Sequence, residues 1–150
     1  MMEAADGDPD DLARRVAAAL YDRDLAARSL GVELLEVRAG FARVAFVVRD
    51  DMLNGHATAH GGFIFALADT AFAYACNSRN HVNVALQCSI SFAVAAKSGT
   101  RLEASAVERS SGGRTGTYDV DVTRPDGTTV AYFRGTSYRV AATVLPLEEA

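Results

Sequence analysis

The chain has 150 residues, 49% hydrophobic and 23% charged, with 15 Lys and Arg against 19 Asp and Glu. That is enough chain for one domain that folds without disulfides or metal, and the net charge of −4 argues against a nucleic-acid reader. The excess acid is concentrated at the start, where Glu3, Asp6, Asp8, Asp10 and Asp11 occur with no base, and removing these five leaves 14 acids against 15 bases.

Residues 1–8 are therefore expected to form a disordered, solvated acidic tail, and residues 9–150 a single domain. The start lacks the basic and apolar regions of a signal peptide, and no charge-free apolar run reaches 18 residues. Cys76 and Cys88 lack redox or metal-ligand spacing, so the expected location is cytoplasmic and no membrane partner is expected.

Residues 9–28 read as helix, with Leu12, Val16, Ala19 and Leu20 at helical spacing and a possible break near Asp22. Gly31 ends this element. Strands over 32–38 and 41–49 follow, joined at Ala39-Gly40. Residues 50–59 show no strong period and read as a loop.

Residues 61–77 read as a helix that is apolar on every side, and such a helix is expected to be buried all round, by a sheet curled around it and a second subunit covering what remains. From Phe63 to Cys76 only Asp69 carries charge, and a buried carboxylate is costly unless it is partnered. Four strands follow, at about 82–95, 101–109, 114–124 and 129–140, separated by Lys97-Ser98-Gly99, Ser110-Ser111-Gly112-Gly113 and Pro125-Asp126-Gly127. Turns of hairpin length connect these four, which predicts an antiparallel sheet and an α+β class. In 117–123, Tyr118, Val120 and Val122 share one face, and Thr117, Asp119, Asp121 and Thr123 the other.

Gly61 and Gly62 open the apolar helix and offer N–H groups at the positive end of its dipole, suited to a carbonyl oxygen gaining charge. Two glycines by themselves more often serve only a tight turn. Asp69 lies eight residues on, roughly 12 Å along the axis, too far to act on the same carbonyl within one chain. If both act, two antiparallel copies of the helix must face each other, which makes a dimer obligatory. The alternative is a structural carboxylate tied to nearby donors.

His60 can orient a substrate or cap the helix, and Asn54 can place an amide near the reacting carbonyl or simply make a turn. His56 and His81 have no spacing argument, and Phe72 and Tyr74 read as core. The segment Ser111-Gly112-Gly113-Arg114-Thr115-Gly116 lacks the lysine of a P-loop but offers N–H groups and a guanidinium for phosphate, or a plain hairpin. No nucleophile elbow or zinc motif occurs.

The pattern Asn54, five residues, His60-Gly61-Gly62, four residues, Leu67-Ala68-Asp69 resembles the PaaI-type thioesterases of the hot dog fold. So do the order of elements and the segments Gly113-Arg114-Thr115, Tyr118-Asp119-Val120 and Val130-Ala131-Tyr132-Phe133-Arg134-Gly135, and the likeness covers about residues 28–140. The resemblance implies an antiparallel sheet wrapped around the apolar helix and hydrolysis of an aryl- or medium-chain acyl-coenzyme A, hydroxyphenylacetyl-CoA among the candidates. It implies Asp69 as nucleophile or general base, Gly61 N–H as oxyanion donor, and Asn54 and His60 as orienting groups. Gly62, Gly113, Arg114 and Thr115 would contact substrate or coenzyme A, with no cofactor beyond the coenzyme A of the substrate. Family members form dimers that pair into tetramers. One departure stands out: relatives often carry a hydroxyl on the strand after the helix, where this chain reads Gln87-Cys88-Ser89. The rival readings are a hot dog enoyl-CoA hydratase or dehydratase and a non-catalytic acyl-CoA-binding protein.

Overall fold

A computed structural model describes residues 7–147; the expected acidic tail lies outside the described residues except for Gly7 and Asp8. Asp8 is no part of a free tail: its carboxylate accepts from Asp10 N–H at 3.0 Å and caps helix α1 (Pro9–Arg23). Pro9 and the acids Asp10 and Asp11 suit that first turn, where N–H groups are unpaired and the dipole favours negative charge. The helix breaks at Asp24 rather than Asp22. Asp24 leaves helical geometry and turns its side chain onto Ala27 N–H at 3.0 Å, capping the short α2 (Leu25–Ser29).

Strands β1 (Glu33–Arg38) and β2 (Phe41–Val47) form a hairpin through Gly40, whose φ of +74° suits glycine. After the loop comes the long helix α3 (Gly61–Cys76), then β3 (Asn83–Phe92), β4 (Arg101–Gly112), β5 (Thr115–Thr123) and β6 (Thr129–Arg139). The six strands make one sheet in the order β1-β2-β4-β5-β6-β3, every neighbouring pair antiparallel. The sheet wraps α3, as the hot dog fold requires.

One expectation needs correction. β3 and β4 are not a hairpin: β3 pairs with β6 at the edge, and residues 93–100 carry the chain across to β4, beside β2. Ala93 and Val94 N–H both donate to Val130 O, and Val48 N–H donates to Thr100 O. A turn signal marks where a chain reverses, but the strand it then meets depends on which edges are free, and β4 is occupied on both sides by β2 and β5.

Within one chain α3 is not buried all round, which leaves the remainder that a second subunit was expected to cover. Ile64, Leu67, Ala68, Ala71, Phe72, Tyr74 and Ala75 are buried, while Phe65, Ala66, Asp69, Thr70 and Ala73 form a stripe that remains partly open. Small residues beneath the helix let it lie close to the sheet, as where Ala42 pairs with Ala106 and Val44 with Ala104. At Gly135 the approach is closest, because a Cβ there would stand 2.9 Å from three ring atoms of Phe72. Phe72 packs edge-on against Tyr118 and tilted against Phe133, which places it in the core.

Candidate active site

The loop before α3 is organised by Asn54. Its Oδ1 accepts from His56 N–H at 2.9 Å and from Thr58 N–H and Oγ1–H at 3.3 Å each. Its backbone N–H donates to Thr58 O at 2.8 Å. The amide is thereby fixed by its oxygen, and among the described residues its Nδ2 has no acceptor. Asn54 is both a turn residue and a presented donor.

His60 is the N-cap of α3, its Nδ1 accepting from Gly62 N–H at 2.9 Å. With Nδ1 as acceptor, the neutral ring carries its proton on Nε2. Of the two glycines, then, Gly62 has its N–H engaged, contrary to the expectation that both are free. Gly61 N–H has no acceptor among the described residues. It sits at the first position of a 16-residue helix, where the dipole adds to its pull on an anion.

Asn54, Thr58, Gly61 and Ile64 line a cleft of about 300 Å³ together with Phe92 and the residues after it. Thr58 and Phe92 carry no motif signal and were not legible in the sequence. Phe92 is brought to Gly61 only by the curl of the sheet, and a Cβ on Gly61 would lie 2.9 Å from its Cζ. Any side chain at position 61 would have to displace that half-exposed ring.

Asp69 does not line this cleft. It lies on the open stripe of α3, and no donor among the described residues reaches its carboxylate. Burial, and secondarily the charge of Asp24, raises its pKa above the ordinary carboxyl value. Asp24 in turn accepts from Tyr74 O–H at 3.2 Å. The strand facing this part of α3 presents Cys88, which pairs with Gly135. The Cys88 thiol is raised by burial and then by Asp69, and Cys76 is pushed up to about 12 by the same two causes. Neither Gln87 nor Ser89 is the missing hydroxyl near Asp69. Alternation sends Ser89 to the opposite face, beside Arg134 and Asp119, and Gln87 shares that face. The hydroxyl of Thr70 is bonded back to Ala66 O at 2.7 Å.

The third group lies at the far end of α3. Gly113, Arg114 and Thr115 border a small cleft with Cys76, together with Arg79, His81 and Arg139. Burial first, then the charges of Arg139 and Arg79, lowers the His81 pKa. This cationic cluster is assembled from three separate segments. One chain thus spreads its candidate groups along the helix: Asn54, His60 and Gly61 at the start, Asp69 midway, Arg114 at the end. Among the described residues no group of three or more His, Cys, Asp or Glu could hold a metal ion, and no helix is long and apolar enough to cross a membrane.

The thioesterase superfamily model matches residues 56–131, a span holding His60, Gly61, Asp69 and the Arg114 segment. The acyl-coenzyme A thioesterase PaaI of Escherichia coli is 44% identical over 128 residues, which is 85% of this chain and 91% of that protein. The chain belongs to the thioesterase superfamily. It is a PaaI-type thioester hydrolase, and its architecture is the hot dog fold. The solved structure of the E. coli PaaI protein from the phenylacetic acid degradation operon superposes on this thioesterase with a TM-score of 0.88, covering 89% of this chain and 97% of that one at 43% identity. A Streptococcus mutans protein solved bound to acetyl-CoA superposes with a TM-score of 0.72 at 28% identity, over 75% of this chain and 90% of that one.

Proposed function

We propose that this thioesterase hydrolyses acyl-CoA, with an aryl or medium-chain acyl group, in sites built from two copies of the chain. The observation that carries this reading is the separation, along one helix, of Gly61 N–H and the Asp69 carboxylate, neither of which has a partner among the described residues. Eight residues of helical rise put them roughly 12 Å apart. A second α3 running antiparallel would bring Asp69 of one copy opposite Gly61 of the other.

Two surfaces support such a pairing. The stripe of α3 bearing Asp69 is incompletely covered, and β3 is a ten-residue edge strand with apolar side chains in the open, Val84 at 49% and Leu86 at 62% exposure. An apolar edge of that length invites another strand. Pairing β3 with its copy about a two-fold axis would lay the two α3 helices side by side. The copy supplying Asp69 would also supply Arg114, from the β4–β5 turn, as a contact for the coenzyme A phosphates: it shares a cleft with Cys76, which lies about 10 Å of helical rise beyond Asp69. Pairing of these dimers into a tetramer is carried over from the family resemblance.

In the reaction, the thioester carbonyl accepts from Gly61 N–H, with Asn54 Nδ2 and His60 Nε2 as further donors. Asp69 takes a proton from water, and the water oxygen attacks the carbonyl carbon. Charge collects on the carbonyl oxygen, where the fixed N–H and the helix dipole stabilise it. The C–S bond then breaks, releasing a carboxylic acid and the thiolate of coenzyme A. A carboxyl raised by burial is a stronger base than an exposed one, which favours proton removal from water. Phe65 on the open stripe and Phe63 near the start of α3, both partly buried, suit an aryl or medium-chain group.

The test is complementation. Neither Asn54→Ala nor Asp69→Asn alone should release thiol from phenylacetyl-CoA at an appreciable rate. Co-expressed, they should recover about a quarter of wild-type activity, because half of randomly paired dimers are mixed and each holds one intact site. No recovery in isolated mixed dimers would refute the shared site. Hydration of an enoyl-CoA without thiol release would refute hydrolysis.

A further inference from the structure

We propose that Phe92 sets the acyl specificity of this site by excluding substrates branched at the carbon next to the thioester carbonyl. The inference rests on the acyl-CoA reading above and on Gly61 N–H as the carbonyl's donor.

Phe92 ends β3, opposite Ala131. Its ring stands end-on against Gly61: a Cβ there would meet Cζ at 2.9 Å, Cε1 at 3.3 Å and Cε2 at 3.4 Å. Unlike Phe72, which is 1% exposed, Phe92 is 53% exposed. One end of the ring covers the backbone of the oxyanion donor and the rest borders the cleft that holds Asn54 and Ile64. Its backbone is fixed at this point. Ala93 and Val94 donate to Val130 O, and Ala59 N–H donates to Ala96 O at 2.8 Å, tying the crossing segment to the Asn54 loop.

A carbonyl oxygen accepting from Gly61 N–H sits about 2.9 Å from that nitrogen, and its carbon about 4 Å away. Groups on that carbon therefore fall within van der Waals reach of a ring standing on the neighbouring Cα. A methylene presents only hydrogens to this wall. A methyl branch adds a full carbon on one of its two faces, and the ring cannot withdraw without losing its seat on Gly61. Substrates with an unbranched CH2 beside the carbonyl, whether alkyl or arylacetyl, are the class that fits.

The experiment compares two isomers, butanoyl-CoA and 2-methylpropanoyl-CoA, by kcat/KM for the assembled wild-type enzyme, Phe92→Leu and Phe92→Ala. The ratio of the two is independent of the fraction of correctly folded enzyme, so a merely structural role for Phe92 would leave it unmoved. Wild type should favour the unbranched ester by about 10-fold or more, within the range that one methyl group commands. Phe92→Ala should bring the ratio near one, and Phe92→Leu should fall between. The same order should hold for phenylacetyl-CoA against 2-phenylpropanoyl-CoA. An equal ratio in all three proteins, or a wild-type ratio near one, overturns the proposal while leaving thioester hydrolysis intact. A wild type that releases thiol from none of these esters overturns the acyl-CoA reading itself.

Discussion

Replacing Asp69 by Asn should abolish turnover and at the same time stabilise the protein. The carboxylate is partly buried on α3, no donor among the described residues reaches it, and burial with the nearby Asp24 charge disfavours its ionised form. An amide of the same shape removes the charge. The amide is itself polar and unpaired, so the change relieves only the extra cost of holding a charge in a partly buried place, and because Asp69 keeps some contact with solvent about 1 kcal/mol is expected. For a chain of this size that is about 2–4 °C in Tm. The pH dependence has a definite sign. The folded-state pKa is raised, so below the unfolded value of about 4 both states are protonated and wild type bears no penalty. The penalty develops as pH rises through the window between the unfolded and folded values, and is complete above it. The Tm advantage of Asp69→Asn should therefore be absent in acid, below the unfolded value, and grow as pH rises through that window. Activity should fall about 10²–10⁴-fold, the contribution of a general base. Calorimetry at several pH values, beside thiol-release kinetics, checks both halves. A variant that is less stable than wild type at pH 7 would show that Asp69 is a partnered structural carboxylate, and would refute the reasoning.

Asn54→Asp separates the two roles of that side chain. The retained Oδ1 keeps its three acceptor bonds to His56 and Thr58, so Tm should change little, while loss of the Nδ2 donor should lower kcat/KM about 10²-fold. Unchanged kinetics would reduce Asn54 to a loop residue. Gly135→Ala should destabilise by about 1–3 kcal/mol, because its Cβ would stand 2.9 Å from three atoms of the buried Phe72 ring while its backbone is held between β3 and β5. A denaturant midpoint equal to that of wild type would show that the ring has room to move.

Much of the candidate site was readable because its parts are local. The Gly-Gly entry to α3, the single acid in its apolar run and the helix between them are set by adjacent residues, and helical rise alone separates Gly61 from Asp69. The break of the first helix was readable to within two residues, since Asp22 and Asp24 are both potential caps and only Asp24 finds the N–H of Ala27. The N–H accounting was not readable. His60 takes Gly62 and leaves Gly61, a choice made by the rotamer of one ring. The placement of Cys88 toward the Asp69 side, rather than Gln87 or Ser89, depends on the face that β3 presents once it pairs with β6.

What the sequence determined by itself is periodic and local: which segments are helix and strand to within a few residues at their ends, that Asp69 is out of place in its helix, and that it cannot share a carbonyl with Gly61 of the same chain. Tertiary structure decided which strands meet, which face of α3 stays open and which side chains converge from distant segments. β3 lies beside β6 because β4 has both edges occupied, and that placement sets Phe92 against Gly61 and Cys88 beside Asp69. Spacing within a helix follows from backbone geometry alone, whereas strand partnership is a competition among edges that exists only once the whole sheet has formed.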